Sequence, residues 1–340
     1  MPVKKASFRI VLFIVCVVFA AMTTAAAGGD AYGWKDFYSE YYGSAVPEIA
    51  QRIMADNGEV HFSLGPVDFY VGGQYCDGYI ATISTVAKPA DGTNALLTGN
   101  DPFDAIGANG KDGKTAAERL GVSPDLSWAQ AAKELNLPLY SVRADLEIPE
   151  ELTGGEQMGD PMFNDDGSLT CFSLAVMNGK AYGEKVDVQV CLRVAKVNPD
   201  DPEADQDVLM ERKDISLFME APVDTKDYAF PEGTIIQGKF RLDAVKGILM
   251  PAGLYMFCSY TALDGATEED AYDAVCESEF VQPDGGHFPP SMDLTGCIWD
   301  LDNWPAAEVR EMTSLDAFPD EIGLRLHEND ETVLILTLKK

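Results

Sequence analysis

Residues 60–84 read VHFSLGPVDFYVGGQYCDGYIATIS. Apolar and polar side chains alternate near both ends of this stretch, over residues 60–64 and again over residues 79–84. A period of two is typical of a β-strand with one buried face. Gly72-Gly73 and Asp77-Gly78 lie between the alternating segments and indicate turns or a bulge. The stretch therefore predicts successive strands joined by short connections.

The same pattern extends through most of the chain. Further strands are predicted at residues 139–148, 169–176, 186–194 and 215–220, and a second set follows Ala221-Pro222. Many short strands with turn signals at intervals of about ten residues are typical of β-sandwiches. We therefore predict a mainly β protein with two immunoglobulin-like β-sandwich domains, at residues 57–225 and 226–340.

Helical patterns occur in three places. Residues 46–54 form an amphipathic segment with Pro47 in its first turn, which predicts a helical lead-in within residues 28–56. Residues 115–120 and 127–135 predict two short helices, so that a helical insertion at about residues 100–137 interrupts the first domain. Residues 303–312 predict a further one or two helical turns.

The N-terminus has the three parts of a secretory signal. Lys4, Lys5 and Arg9 are followed by an apolar run and then by Ala25-Ala26-Ala27, a small-residue cleavage site. Residues 1–27 are therefore predicted to be a signal peptide. The alternative is an uncleaved membrane anchor, since residues 10–27 fall within the length of about 17–25 residues that spans a bilayer. Both interpretations place the rest of the chain in the extracellular space or the cell envelope.

The charge of the chain excludes one class of partner. Lys and Arg number 25 against 56 Asp and Glu, a net charge of −31. Residues 1–27 hold three of the bases and none of the acids, so the chain from Gly28 carries −34. Such a surface repels phosphate backbones and anionic lipid headgroups. We expect a protein or cell-envelope ligand, no nucleic acid, and membrane contact only through an uncleaved N-terminal segment.

Six cysteines follow residue 27, an even number that permits three disulfides in an exported protein. If residues 169–176 and 186–194 form a hairpin centred on residue 181, Cys171 lies directly opposite Cys191. Opposed residues of an antiparallel pair have Cβ atoms about 4.5–5.5 Å apart or closer, near the separation that a disulfide needs. The hairpin predicts a Cys171–Cys191 disulfide, and the alternative is two unbonded thiols.

Two acidic segments are candidate ligand sites. The first combines carboxylates with aromatic rings, which suits sugar stacking or a calcium loop; its residues are Trp299, Asp300, Asp302 and Trp304. The alternative is structural, with Asn303 capping a following helix. The second segment could bind calcium; its acids are Asp200, Asp201, Asp205 and Asp207. Its spacing matches no EF-hand, and a solvated hairpin loop is the simpler interpretation. We expect no other cofactor.

Motifs of catalysis are absent from the sequence. It contains no Gly-x-Ser-x-Gly, no His-Glu-x-x-His, no Walker loop, and only three histidines. We therefore expect a non-enzymatic protein that binds or senses a ligand. The alternatives are an envelope-associated hydrolase acting on glycans and a calcium-dependent adhesion module.

Two motifs resemble those of a known family. Residues 65–70 (GPVDFY) followed by residues 76–84 (CDGYIATIS) resemble the opening hairpin of immunoglobulin-like extracytoplasmic domains, in which a Cys/small-Asp-Gly-aromatic turn joins two strands. These domains are best known from anti-sigma-factor-like membrane proteins of Gram-positive bacteria and are otherwise of unknown function. Residues 246–255 (KGILMPAGLY) are similar to the start of the second such domain that often follows. The resemblance covers about residues 57–340.

The resemblance implies an architecture and an extracytoplasmic binding or sensing role. Only nine residues precede the apolar run, so the cytoplasmic sigma-binding segment of these proteins has no counterpart here. Regulation of a sigma factor is therefore not expected.

Overall fold

The computed structural model describes residues 48–107, 114–158, 161–177, 182–201, 207–236, 238–267, 278–286, 288, 292–293, 306–313, 315–325 and 333–340. Within these ranges the chain is mainly β with several antiparallel sheets, which confirms the predicted fold class. The described helices are α1 (Glu48–Asp56), α2 (Ala116–Leu120) and α3 (Trp128–Leu135). They occupy the predicted lead-in and the predicted insertion.

The first unit of the protein comprises the strands before residue 219. They are β1 (Val60–Leu64), β2 (Val67–Cys76), β3 (Ile80–Pro89), β4 (Leu96–Thr98), β5 (Leu139–Glu147), β6 (Thr153–Met158), β7 (Met162–Phe163), β8 (Leu169–Met177), β9 (Lys185–Val197) and β10 (Asp207–Phe218). The first sheet has the order β1-β2-β3-β8-β6, with β7 also paired to β8, and the second has the order β10-β9-β5-β4.

The two sheets enclose one apolar core. Phe69 and Val71 of β2 and Val190 and Leu192 of β9 are all buried in the same cluster, although their strands belong to different sheets. Each strand contributes alternate residues to this core because successive side chains point to opposite faces. The first unit is therefore a β-sandwich.

The helical insertion follows from a parallel pair of strands. β4 runs parallel to β5, and parallel neighbours need a long crossover connection, which here contains α2 and α3. Both helices begin with reciprocal capping hydrogen bonds, Thr115 with Glu118 and Ser127 with Gln130. Trp128, fully buried at the start of α3, packs edge-on against Phe163 and so attaches the insertion to the sandwich.

The second unit contains the remaining described strands. They are β11 (Asp224–Ala229), β12 (Ile235–Ile236), β13 (Phe240–Met250), β14 (Gly253–Ala262), β15 (Glu279–Val281), β16 (Met292–Asp293), β17 (Ala306–Thr313), β18 (Glu321–Arg325) and β19 (Val333–Leu338). They form one sheet of order β15-β18-β19-β11-β13-β14-β17-β16, with β12 beside β13. Leu324 and Leu336 share a buried cluster with Met256 and Tyr260, which lie several strands away, so the sheet folds over its own core.

Two predictions about pairing and local structure are wrong. β8 and β9 do not form a hairpin, because β8 pairs with β3 in the first sheet and β9 pairs with β5 and β10 in the second. The predicted helical turns at residues 303–312 are contradicted by β17, which pairs with β14 from Thr261↔Ala306 to Leu254↔Thr313. A sheet neighbour outweighs the helix propensity of the alanine- and glutamate-containing segment. The domain boundaries stay a prediction.

Candidate functional site

Strand β10 forms one border of the second sheet. All twelve of its residues pair with β9, from Asp207 opposite Lys196 to Phe218 opposite Lys185, without a register shift. Among the described residues, no strand pairs with the other side of β10. Backbone N–H and C=O groups on that side therefore have no partner in a described strand, as is typical of an edge strand. We call this unpaired side the β10 edge.

Apolar side chains are exposed in the N-terminal half of β10 and mostly buried in its C-terminal half, where Phe218 at the end of the strand is 41% exposed. Ile215 and Leu217 are buried in the core of the sandwich, as the alternation of a half-buried strand requires. Val208, Leu209 and Met210 are instead 54%, 44% and 49% exposed. Three consecutive exposed apolar residues on an edge strand are characteristic of an interaction site.

Polar residues in the middle of β10 have partners within the protein. These contacts are Arg212 to Glu147 (2.7 and 3.0 Å), Lys213 to Glu211, Gln189 to Asp214 (2.7 Å) and Ser216 to Asp187 (2.5 Å). Arg212 holds the pKa of Glu147 below its usual range through these hydrogen bonds. The charged centre of the strand is thus satisfied internally, and the apolar stretch Val208-Leu209-Met210 is the part suited to a partner.

The β10 edge lies beside the border of the first sheet. Leu209 packs over Gly65 in the β1–β2 turn, which leaves no room for a Cβ at that glycine. Further along, the Lys213 ammonium lies 5.7 Å from the centre of the Phe62 ring. Gly65 has a φ of +59°, a conformation that glycine adopts without strain. The edge strands of both sheets therefore meet at one side of the sandwich.

The predicted ligand sites are only partly described. Trp299, Asp300, Asp302 and Trp304 lie outside the described residues, and so does Asp205. Sugar or calcium binding at Trp299–Trp304 therefore stays a prediction.

The described part of the second acidic segment is a turn followed by the start of β10. The Asp200 carboxylate contacts the Lys133 ammonium at 2.5 Å, and its backbone N–H donates to the Asn198 side chain at 3.1 Å. Asp201 donates its backbone N–H to the Asn198 carbonyl at 3.3 Å, and Asp207 lies opposite Lys196. Within the described ranges, His, Cys, Asp and Glu side chains form no group of three or more that could hold a metal ion. Calcium binding here stays a prediction.

The two cysteines of the predicted disulfide lie on different sheets. Cys171 is opposite Thr85 on β3, whereas Cys191 lies between Asp145 on β5 and Arg212 on β10. Both are free thiols, so the Cys171–Cys191 disulfide is not formed and the register that predicted it is wrong. Burial raises the pKa of Cys171 to about 12 and also raises that of Cys191. Protonated thiols are poor nucleophiles, so we expect both cysteines to have low reactivity.

A serine, a histidine and an aspartate meet on the exposed face of β1 and β2. The Ser63 hydroxyl donates to Asp68 at 2.6 Å, the His61 Nε2 lies 3.5 Å from the same oxygen, and His61 stacks on Tyr70. In a catalytic triad the serine proton passes to the histidine. Here the serine donates to the carboxylate instead, so the geometry is that of a surface hydrogen-bond cluster.

Within the ranges that the structure describes, each helix is too short or too polar to cross a membrane.

Comparisons with known proteins give little detail. No family model matches the chain, and no curated protein matches it. A conserved domain protein from Bacillus anthracis has 9% identity and a TM-score of 0.38, over 89% of this chain and 92% of that one. The Escherichia coli adhesin FdeC has 11% identity and a TM-score of 0.16, over 77% of this chain and 60% of that one. Similarities this weak carry no argument about function, and the resemblance to extracytoplasmic anti-sigma-factor-like domains stays a prediction.

Proposed function

We propose that the protein is an exported, non-enzymatic binding protein of the bacterial cell envelope, and that it captures an extended segment of a partner protein by β-strand addition at the β10 edge. The observation that supports the proposal is a regular strand of twelve residues, paired on one side, with Val208, Leu209 and Met210 exposed. In strand addition, main-chain hydrogen bonds supply affinity and alternate side chains supply specificity.

Charge defines the chemistry of the partner. From Gly28 onward the chain carries −34, which attracts cationic segments and repels acidic ones. The exposed residues of β10 favour apolar side chains opposite Val208 and Met210. The partner segment is therefore apolar, extended and flanked by lysine or arginine.

Export is supported by the basic, apolar and small-residue parts of the N-terminus. Cleavage after Ala27 gives a mature chain that begins at Gly28. N-terminal sequencing of the protein recovered from the envelope or medium of the producing cell tests this. Recovery of a chain that begins at Met1 from the cytoplasm contradicts it.

A synthetic peptide of alternating valine and threonine, with lysines at both ends, tests strand addition. Calorimetry measures its binding to the chain from Gly28 to Lys340. Two further peptides carry N-methyl groups on alternate residues, in opposite phases, so that each lacks the N–H donors of one side. Only one side of an added strand faces β10, so one methylated peptide should bind like the parent and the other should lose binding.

Substitutions locate the site. Val208→Lys/Met210→Lys places charges on the apolar stretch and should weaken binding at least about tenfold, or 1.4 kcal/mol. Ile235→Lys is the matched control, because Ile235 is an equally exposed apolar residue (52%) of the second unit. The proposal is wrong if the parent peptide does not bind or if both methylated peptides bind equally. It is also wrong if Ile235→Lys weakens binding as much as the Val208→Lys/Met210→Lys double variant.

A further inference from the structure

A buried carboxylate closes the turn between β2 and β3. Asp77 is fully buried, and its Oδ1 accepts the backbone N–H groups of Tyr79 and Ile80, each at 2.9 Å. The two hydrogen bonds hold the Asp77-Gly78 turn that joins the strands. Both hydrogen bonds to this oxygen are therefore made inside the first unit.

The other oxygen of Asp77 contacts the second unit. Its Oδ2 accepts the hydroxyl of Tyr75 at 2.9 Å and the hydroxyl of Tyr255 on β14 at 2.8 Å. The Tyr75 hydroxyl in turn accepts the backbone N–H of Ala252, at 3.2 Å, at the β13–β14 turn. Asp77 thus reaches the second unit directly through Tyr255 and indirectly through Tyr75.

Apolar residues of both units surround this carboxylate. Phe172 and Leu174 of β8, Ile248 and Met250 of β13, and Met54 of α1 are buried in one cluster with Tyr255. We call this cluster, together with Asp77 and Tyr75, the joint. Burial of apolar surface holds the two units together, but it is non-directional and would tolerate a rotated or shifted contact.

The polar contacts at Asp77 are directional. A buried carboxylate is stable only if donors surround it, and its burial raises its pKa. A rotation of one unit against the other removes the Tyr255 donor and leaves Asp77 incompletely hydrogen-bonded in an apolar environment. Such a loss carries a large penalty, so one arrangement of the units is favoured over its neighbours.

We propose that Asp77 is a positioning residue that fixes the second unit against the first, so that the two units move as one rigid body. The apolar joint supplies adhesion between the units, and the Asp77–Tyr255 hydrogen bond specifies their orientation. The β10 edge is then presented at a constant angle to the second unit. This role is independent of what binds at the β10 edge.

Tyr255→Phe tests the proposal because it removes the donor and leaves both backbone hydrogen bonds of the turn in place. Its matched control is Tyr260→Phe, on the same strand, since Tyr260 is also buried but belongs to the core of the second unit. Small-angle X-ray scattering measures the distance distribution of each chain, and calorimetry measures its unfolding.

The wild type and Tyr260→Phe should give the same distance distribution and a single unfolding transition. Tyr255→Phe should broaden the distribution and separate unfolding into two transitions. Adding Tyr255→Phe to Asp77→Ala, which removes both carboxylate oxygens, should change the distribution no further, because the tyrosine acts through the aspartate. The proposal is wrong if Tyr255→Phe and Tyr260→Phe give superimposable scattering profiles, even if both are less stable than the wild type.

Discussion

Arg212 and Glu147 form a two-point salt bridge across the outer face of the second sheet, with the Nε–Oε2 pair at 2.7 Å and the Nη2–Oε1 pair at 3.0 Å. Glu147 lies on β5 and Arg212 on β10, so the bridge passes over β9, which separates them. Cys191 of β9 lies beside Arg212 in the ladder, contacts the Glu147 carboxylate and is only 3% exposed. The salt bridge therefore covers a thiol.

Replacing Glu147 should make that thiol reactive. Burial raises the pKa of Cys191, and the charge of Glu147 raises it further. Glu147→Ala uncovers the sulfur and removes the negative charge, so both effects favour the thiolate. We expect alkylation of Cys191 by iodoacetamide to accelerate about tenfold, the effect of one pKa unit, as measured by mass spectrometry of the folded protein. The control is Glu211→Ala, whose carboxylate pairs with Lys213. Equal rates in the two variants would contradict the covering role.

Gly323 should not tolerate a side chain. A Cβ at this position of β18 would lie 2.8 Å from a methyl group of Val281 and 2.9 Å from the carbonyl of Gln282. Gly323→Ala should therefore destabilise the protein by about 1–3 kcal/mol, the usual effect of overpacking. Urea denaturation measures the change. Gly107→Ala is the control, because the nearest atom to its Cβ among the described residues is a carbonyl at 3.8 Å. Similar midpoints for the two variants would refute the steric argument.

Because of Glu220, stability should fall as the pH rises above 4.5, the ordinary pKa of a glutamate. Burial, and secondarily the charge of Asp77, raises the pKa of Glu220 above its ordinary value of 4.5. The native state then holds a proton that the unfolded state releases, so stability falls as the pH rises from the unfolded to the native pKa. Urea midpoints measured at increasing pH, from 4.5 upward, should decline less in Glu220→Gln than in the wild type. The exposed Glu232→Gln should keep the wild-type slope, and an unchanged slope in Glu220→Gln would disprove the assignment.

The N-cap of α3 should contribute measurably to stability. The Ser127 hydroxyl accepts the Gln130 backbone N–H at 3.2 Å, and the Ser127 backbone N–H donates to the Gln130 side-chain oxygen at 2.8 Å. Ser127→Ala should lower the free energy of unfolding by about 1 kcal/mol. Ser123→Ala, in the loop before the helix, removes only a 3.4 Å contact and should have a smaller effect. If Ser123→Ala destabilises as much as Ser127→Ala, the cap is not the cause.

Local sequence patterns predicted much of the fold because they report which face of a strand is buried. Leu254, Met256, Cys258 and Tyr260 alternate along β14, and all four are buried in the core of the second unit. Helix signals were equally informative at residues 127–135, where the structure has α3.

Pairing between strands could not be predicted in the same way. Residues 169–176 and 186–194 each alternate correctly, yet the first belongs to one sheet and the second to the other. Alternation gives the direction of a side chain and carries no information about which strand lies alongside, so the adjacent segments were wrongly joined as a hairpin.

The candidate site was mostly missed. The sequence predicted a strand only from Ile215, where apolar and polar residues alternate, whereas β10 begins at Asp207. The run Val208-Leu209-Met210 was the available signal, but its exposure depends on the position of β10 at the border of the sheet. Asp77 had the appearance of an ordinary turn residue, since its partner Tyr255 is 178 residues away in the chain.

The ladder between β3 and β8 constrains when the first unit can fold. Ile80 pairs with Val176 and Ala87 with Leu169, so the middle of the first sheet joins segments separated by the whole helical insertion. Such distant closure is slow compared with formation of a short helix, which takes about a microsecond. A chain that has emerged only as far as the insertion would contain β1, β2 and β3 but would leave the edge of β3 without its partner β8. Avoidance of aggregation during synthesis would then depend on the arrival of β8.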